Sequence, residues 1–241
     1  MPPKSENSHL TATAAKKRLR DCATDEVAKN QASFFKLGPG EYGEGDVFIG
    51  VRVPVLRKIA RDFRDLSTAE TLKLLHSPIH EERVLALIVW VENFKSGSAT
   101  ARKKLFDLYL ANAQFVNNWD LVDLSAPQIV GVHLYGKSRK LLAQLARSKN
   151  LWERRIAIVA TLSMIRQNDF APTLQIAKQL LHDREDLIHK AVGWMLREVG
   201  KKDQAVLETF LDQHVTEMPR TTLRYAIERY PEKQRKAYLA R

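Results

Sequence analysis

Apolar residues recur at three- and four-residue spacing through almost the whole chain, broken by short Gly-, Pro- and polar-rich stretches. That period predicts amphipathic helices and almost nothing else. The expected helices cover residues 10–22, 25–35, 54–63, 68–75, 81–94, 99–111, 119–134, 138–146, 152–165, 172–181, 187–199, 205–214 and 220–228. Ser67-Thr68-Ala69-Glu70 reads as a capping box, with Ser67 accepting an amide hydrogen bond and Glu70 reaching back. Pro54 and Pro219 suit first-turn or pre-helix positions. The one stretch that breaks the pattern is 37–53, a long loop with room for a short extended piece near Val47 to Val53. The polar start, residues 1–8, is expected to be a flexible N-terminal segment, with 9–241 as a single repeat domain.

The helices pair by length, and the pairs repeat. Arg83, Trp119, Arg155 and Lys190 fall at intervals of about 35 residues, with Arg220 and Arg224 following at a similar step. Two helices at that period define an all-α, curved α-solenoid of degenerate repeats, each burying its apolar face against its neighbours. If the second helix of each pair lines the inside, these residues form one row on a concave surface. The row is chemically mixed. Trp119 and Asp123 stand one turn apart, as do Lys190 and Trp194, so an indole, a carboxylate and cations share equivalent faces.

Charge sharpens this. Thirty-nine Lys and Arg against 28 Asp and Glu give a net charge of +11, spread along the chain, so the basic surface belongs to the folded body. Such an excess favours a polyanion, with nucleic acid ahead of an acidic membrane surface or an acidic protein. The single Cys22 excludes an intramolecular disulfide and a cysteine-based zinc site. The longest apolar run, Val84 to Val91, is far shorter than the roughly 20 residues that span a bilayer. No signal-peptide pattern stands at the N-terminus, so a soluble intracellular protein is expected.

Several motifs carry no chemistry on this reading. Gly38-x-Gly40-x-x-Gly43 matches a dinucleotide fingerprint formally, but a helix precedes it, and Glu41, Glu44 and Asp46 would repel phosphate. It reads as a flexible connector. His76 and His80 have ligand spacing, yet Pro78 lies between them and no cysteine accompanies them, so they read as solvated or capping histidines. Neither a nucleophile elbow nor a phosphate-binding loop is present. Trp90 and Trp152 read as structural. Trp119, Asp123 and Trp194 do not, because Asp is a poor mid-helix residue and its neighbours form the mixed row.

At these residues the chain resembles the AlkD-type DNA alkylation repair proteins, alkylpurine DNA glycosylases built from HEAT-like repeats. The resemblance runs from Phe34 to about Tyr230. It is strongest at Asn118-Trp119-Asp120-Leu121-Val122-Asp123, at Trp152-Glu153-Arg154-Arg155-Ile156-Ala157-Ile158 and at Lys190-Ala191-Val192-Gly193-Trp194-Met195-Leu196-Arg197-Glu198. It implies that Asp123 is the catalytic acid flanked by Trp119 and Trp194, and that Arg155 is the arginine of the cleft. Lys190, Arg197, Arg52 and Arg57 would hold the DNA backbone. The implied activity is hydrolysis of the N-glycosidic bond of cationic N3- or N7-alkylated purines in duplex DNA, without flipping the base into a pocket and without a metal or organic cofactor. The implied partner is double-stranded DNA carrying alkylated bases, met by a monomer in the cytoplasm, at the nucleoid. The loop at 38–46 resembles that of one branch of the family. A non-catalytic binder of bent or branched DNA, and a scaffold for an acidic protein partner, are the alternative readings.

Overall fold

The computed structural model describes residues 10–241, so the expected flexible segment 1–8 lies outside the described residues. Among those residues no helix is long and apolar enough to cross a membrane. The contacts gather into two compact units that divide between Ser125 and Ala126.

The first unit contains α1 (Ala12–Arg20), α2 (Asp25–Phe34), α3 (Val53–Asp62), α4 (Thr68–Leu75), α5 (His80–Ser96), α6 (Ala99–Ala111) and most of α7 (Trp119–Ala126). Its centre is α5. Every residue from Val84 to Val91 is buried, so this stretch of the helix has no solvent face, and α1, α3, α4 and α6 pack around it. Leu85 and Leu87 are fully enclosed, and truncating either to Ala would cost about 2–5 kcal/mol. Trp90 lies in this core as expected, its indole N–H satisfied by Thr71 Oγ1 at 3.0 Å. Ser67 caps α4 by accepting from the Glu70 amide at 3.2 Å. The other half of the expected capping box is not made. Glu70 turns instead to the first amide of α1, accepting from Ala12 N at 2.7 Å, and so joins two helices rather than closing one.

The segment between α2 and α3 holds a single parallel bridge, between Val47 and Ile79. Gly50 follows it at φ +85°, a conformation that favours glycine, and its carbonyl accepts from Thr24 N at 3.1 Å. A Cβ there would lie 2.0 Å from the Thr24 carbonyl oxygen.

In the second unit the chain continues from α7 through a π-helical turn, Pro127–Gly131, into α8 (Val132–Leu134). The expected single helix over 119–134 is therefore present but wound wider at Pro127, which lacks an N–H and crowds the preceding turn. Then come α9 (Lys140–Leu145), α10 (Leu151–Ala160), α11 (Leu162–Arg166), α12 (Ala171–Gln179), α13 (Asp186–Lys202), α14 (Gln204–His214), α15 (Arg220–Ala226) and α16 (Glu232–Leu239). The helix expected over 152–165 is split at Thr161, whose hydroxyl bonds back to the Ile158 carbonyl at 2.7 Å. The central element is α13, packed by α10, α11, α12, α14 and α15. Gly193 permits a close approach to α15: a Cβ there would lie 2.5 Å from the Thr222 carbonyl oxygen and 2.4 Å from Tyr225 Cβ. This gives the glycine of the Lys190-to-Glu198 motif a packing reason.

Candidate nucleic-acid repair site

The richest polar chemistry of the first unit begins at α5. His80, Glu81, Glu82 and Arg83 are consecutive and all buried. Successive helical positions point about 100° apart, so Glu81 and Glu82 meet different segments, while His80 and Arg83, three positions apart, share a face and meet the same ones. The Glu81 carboxylate accepts from the amides of Ile49, Gly50 and Val51 at 2.8–3.2 Å and fixes the approach to α3. Glu82 pairs with Lys16 at 2.8 Å and Arg20 at 3.6 Å on α1. Arg83 pairs with Asp46 and donates to Asn117 Oδ1. His80 bridges two carboxylates, with Nδ1 3.0 Å from Asp46 and Nε2 2.8 Å from Asp120.

This arrangement corrects three expectations. His80 is neither solvated nor a cap but a buried bridge, 2 % exposed. Burial would pull its imidazolium down, but the hydrogen bonds to Asp120 and Asp46 prevail and raise its pKa to about 8. Arg83, expected in the basic surface row, is 4 % exposed and spent inside this network. The Gly-rich segment is not a loose connector. Glu41 and Glu44 accept from the amides of Gly38 and Gly40 at 3.0 and 2.9 Å, turning their charge onto the loop's own backbone. Asp46 anchors its far end, where burial pushes the carboxyl up but His80, Arg83 and Asn118 together hold it below the usual range.

The same network grips the start of α7. Asn118 donates to Asp46 at 2.9 Å and accepts from the Trp119 amide at 2.8 Å, while Asp120 binds His80. Trp119 is thus flanked on both sides by tethered residues. Its indole is stacked by Phe35 at 5.1 Å and 15°, met edge-on by Phe34 at 5.7 Å, and donates its N–H to the Tyr42 hydroxyl at 3.3 Å. One turn on, Asp123 is half-buried on α7, as Trp119 is. Beneath it Tyr109 is fully buried, hydrogen-bonded to Ser125 Oγ at 3.0 Å. Burial pushes the Tyr109 hydroxyl up, the Ser125 hydrogen bond opposes this, and the Asp123 charge adds to it, so Tyr109 stays neutral. Arg52 and Arg57 stand exposed at the start of α3 and on it.

The remaining expected residues belong to the second unit. Arg155 is 5 % exposed, with Nη1 donating to the Leu187 carbonyl at 2.6 Å in the first turn of α13. Lys190, Trp194, Arg197 and Lys201 follow one another along a face of α13. Lys190 pairs with Asp186 at 2.7 Å, and Arg197 with Glu228. Trp194 is half-buried, donates to Glu198 at 3.2 Å and borders a cavity of about 280 Å³ that Arg166, Lys201 and Lys202 also line. The residues that sequence reasoning passed over are Tyr42, Asp46, His80 and Asp120. The available signal was the charged run at 80–83 leading a helix that is apolar all round.

Among the described residues no group of His, Cys, Asp and Glu could hold a metal ion. The fold is all-helical and HEAT-like, an α-solenoid class in which helix pairs repeat. Residues 15–230 match the model of the DNA alkylation repair enzyme family, and the chain belongs to that family. Membership gives it a role in the repair of alkylated DNA, with DNA as its partner. A solved structure described as a predicted DNA alkylation repair enzyme from Enterococcus faecalis is similar with a TM-score of 0.69 and 16% identity. The match covers 87% of this chain and 97% of that one, a likeness of fold. No curated protein matches the chain.

Proposed function

We propose that the protein is a DNA glycosylase that hydrolyses the N-glycosidic bond of cationic N3- or N7-alkylated purines in duplex DNA. The observation that carries this reading is the Trp119–Asp123 pair: an indole and a carboxylate one turn apart on α7, half-buried rather than packed into the core. An alkylated purine is already positively charged and leaves readily. As its bond to the sugar stretches, the electron pair departs with the base and neutralises it, while positive charge moves onto the deoxyribose. Asp123 stabilises that charge and orients the water whose oxygen bonds to the sugar carbon, its proton passing to the carboxylate or solvent. Trp119 shields the sugar, since an indole face attracts a cation and excludes water. On the second unit Trp194 offers an indole of the same chemistry, and Arg155 a cation for a backbone phosphate. Lys190, Arg197, Arg52 and Arg57 grip the duplex without reading sequence. The protein acts as a monomer and needs no cofactor.

The test is release of free 7-methylguanine from duplex DNA. Release no faster than the spontaneous rate would leave a protein that binds DNA by charge and shape and does not cut the glycosidic bond.

A further inference from the structure

The loop at 38–46 remains outside the proposed chemistry, yet its middle and its far end both reach the helix that carries that chemistry. From its middle, Tyr42 receives the Trp119 indole N–H at 3.3 Å. From its far end, Asp46 binds Asn118, His80 and Arg83, and His80 carries the link on to Asp120 at 2.8 Å. Residues 117, 118 and 120 are all tied to this network, so the backbone on both sides of Trp119 is held while its ring is held separately. Phe35 extends the same support inward, stacking on Trp119 and on Phe48 at 4.9 Å, with Phe48 stacked on His80 at 4.4 Å. One continuous line of packed rings and hydrogen bonds therefore runs from His80 to the Trp119 indole.

A half-exposed tryptophan has several rotamers of similar energy, and one hydrogen bond with a stacked neighbour is enough to favour one of them several-fold. We propose that the loop at 38–46 is a clamp for Trp119, in which Tyr42 and His80 are positioning residues that fix the indole in the orientation the reaction uses. Its catalytic consequence rests on the glycosylase reading, but the clamp itself does not.

Each partner has one task. Tyr42 sets the rotation of the ring. His80 holds loop and helix together, and needs both ring nitrogens as donors to satisfy Asp46 and Asp120 at once. The charged groups facing it are those two carboxylates, from the loop and from α7, and Arg83 on its own helix. With both carboxylates ionised, the imidazolium is the form that fits, and its loss at alkaline pH removes one of the two links. The clamp therefore loosens as pH rises through about 8.

Two readouts separate the clamp from the activity. The first is the indole N–H resonance of Trp119, assigned by its disappearance in Trp119→Phe. In Tyr42→Phe and in His80→Gln it is expected to shift and to exchange with solvent about tenfold faster, and in wild type to move with pH near 8. A resonance unmoved in both variants overturns the clamp, whatever the protein's activity. Tyr42→Phe removes one half-exposed hydroxyl, so it remains informative if His80→Gln fails to fold. The second readout is single-turnover release of 7-methylguanine from duplex DNA. The Tyr42→Phe rate is expected to fall about tenfold at saturation while half-saturating DNA changes by less than about twofold. An unchanged rate alongside a shifted resonance overturns the positioning role. A wild type that releases no base overturns the glycosylase reading, while the resonance still decides the clamp.

Discussion

The carboxylate of Asp46 lies 3.0 Å from His80 Nδ1, and its other oxygen pairs with Arg83, so one loop residue holds two buried cations. Removing it leaves Arg83 enclosed without that carboxylate and His80 with Asp120 alone. Asp46→Ala is expected to destabilise the protein by about 3–5 kcal/mol in urea unfolding, whereas Tyr42→Phe, at a half-exposed site, should cost less than about 1 kcal/mol. Equal costs for the two would mean that the buried network does not anchor the loop.

The same network makes stability depend on pH at both ends. The folded pKa of His80, about 8, lies above its ordinary 6.5. Its contribution is therefore complete below pH 6.5 and is lost as pH rises through about 8, a loss of about 2 kcal/mol. Asp46 is shifted the other way, below its ordinary 3.8, so its contribution is present above that value and fades as pH falls through the folded one. Urea midpoints should decline on the alkaline side in wild type and stay level there in His80→Gln. A wild-type midpoint that does not move between pH 6.5 and well above 8 would contradict the bridge.

At Gly193 an added methyl group has nowhere to go. Its carbon would meet the Thr222 carbonyl at 2.5 Å, and that neighbour is backbone. Although alanine is the better helix former by about 1 kcal/mol, Gly193→Ala should lower stability by about 1–3 kcal/mol by forcing α15 away from α13. A thermal unfolding midpoint at or above that of wild type would show that this approach is not tight.

Arg52 and Arg57 are exposed at the head of α3, so their removal should leave folding alone. Duplex affinity is expected to fall steeply with salt, and Arg57→Ala to reduce the slope of log affinity against log salt by about one. Titrations at several salt concentrations with unrelated duplex sequences check this. Loss confined to one sequence would point to base reading instead of a phosphate contact.

Most helices were legible because burial on one side leaves a three-to-four-residue imprint, clearest in α3 and α13, whereas α5 showed as a continuous apolar run. α16 was missed for the same reason: it has no buried residue, so it leaves no such imprint. The splitting of a helix at Thr161 and the widening at Pro127 depend on hydroxyl and ring contacts that an apolar period does not record. Trp119 and Asp123 were legible as a pair because both sit on one short helix. Their support was not, because Tyr42 and Asp46 come from a loop 77 and 72 residues before their partners Trp119 and Asn118. His80 was read as solvated or capping and Arg83 as part of a surface row because both were read apart from Val84 to Val91. Burial of that stretch continues through the first turn of α5, which encloses His80 and Arg83, while the charges at the other end of the helix, Glu92 and Lys95, are exposed.

The most direct measurement is single-turnover release of 7-methylguanine from duplex DNA by wild type and by Asp123→Asn, with duplex binding measured in parallel. Wild type is expected to release the base well above spontaneous depurination and Asp123→Asn at a rate about 10²-fold or more lower, with binding nearly unchanged. Wild-type release at the spontaneous rate, or equal rates for the two proteins, would contradict a glycosylase that works through Asp123.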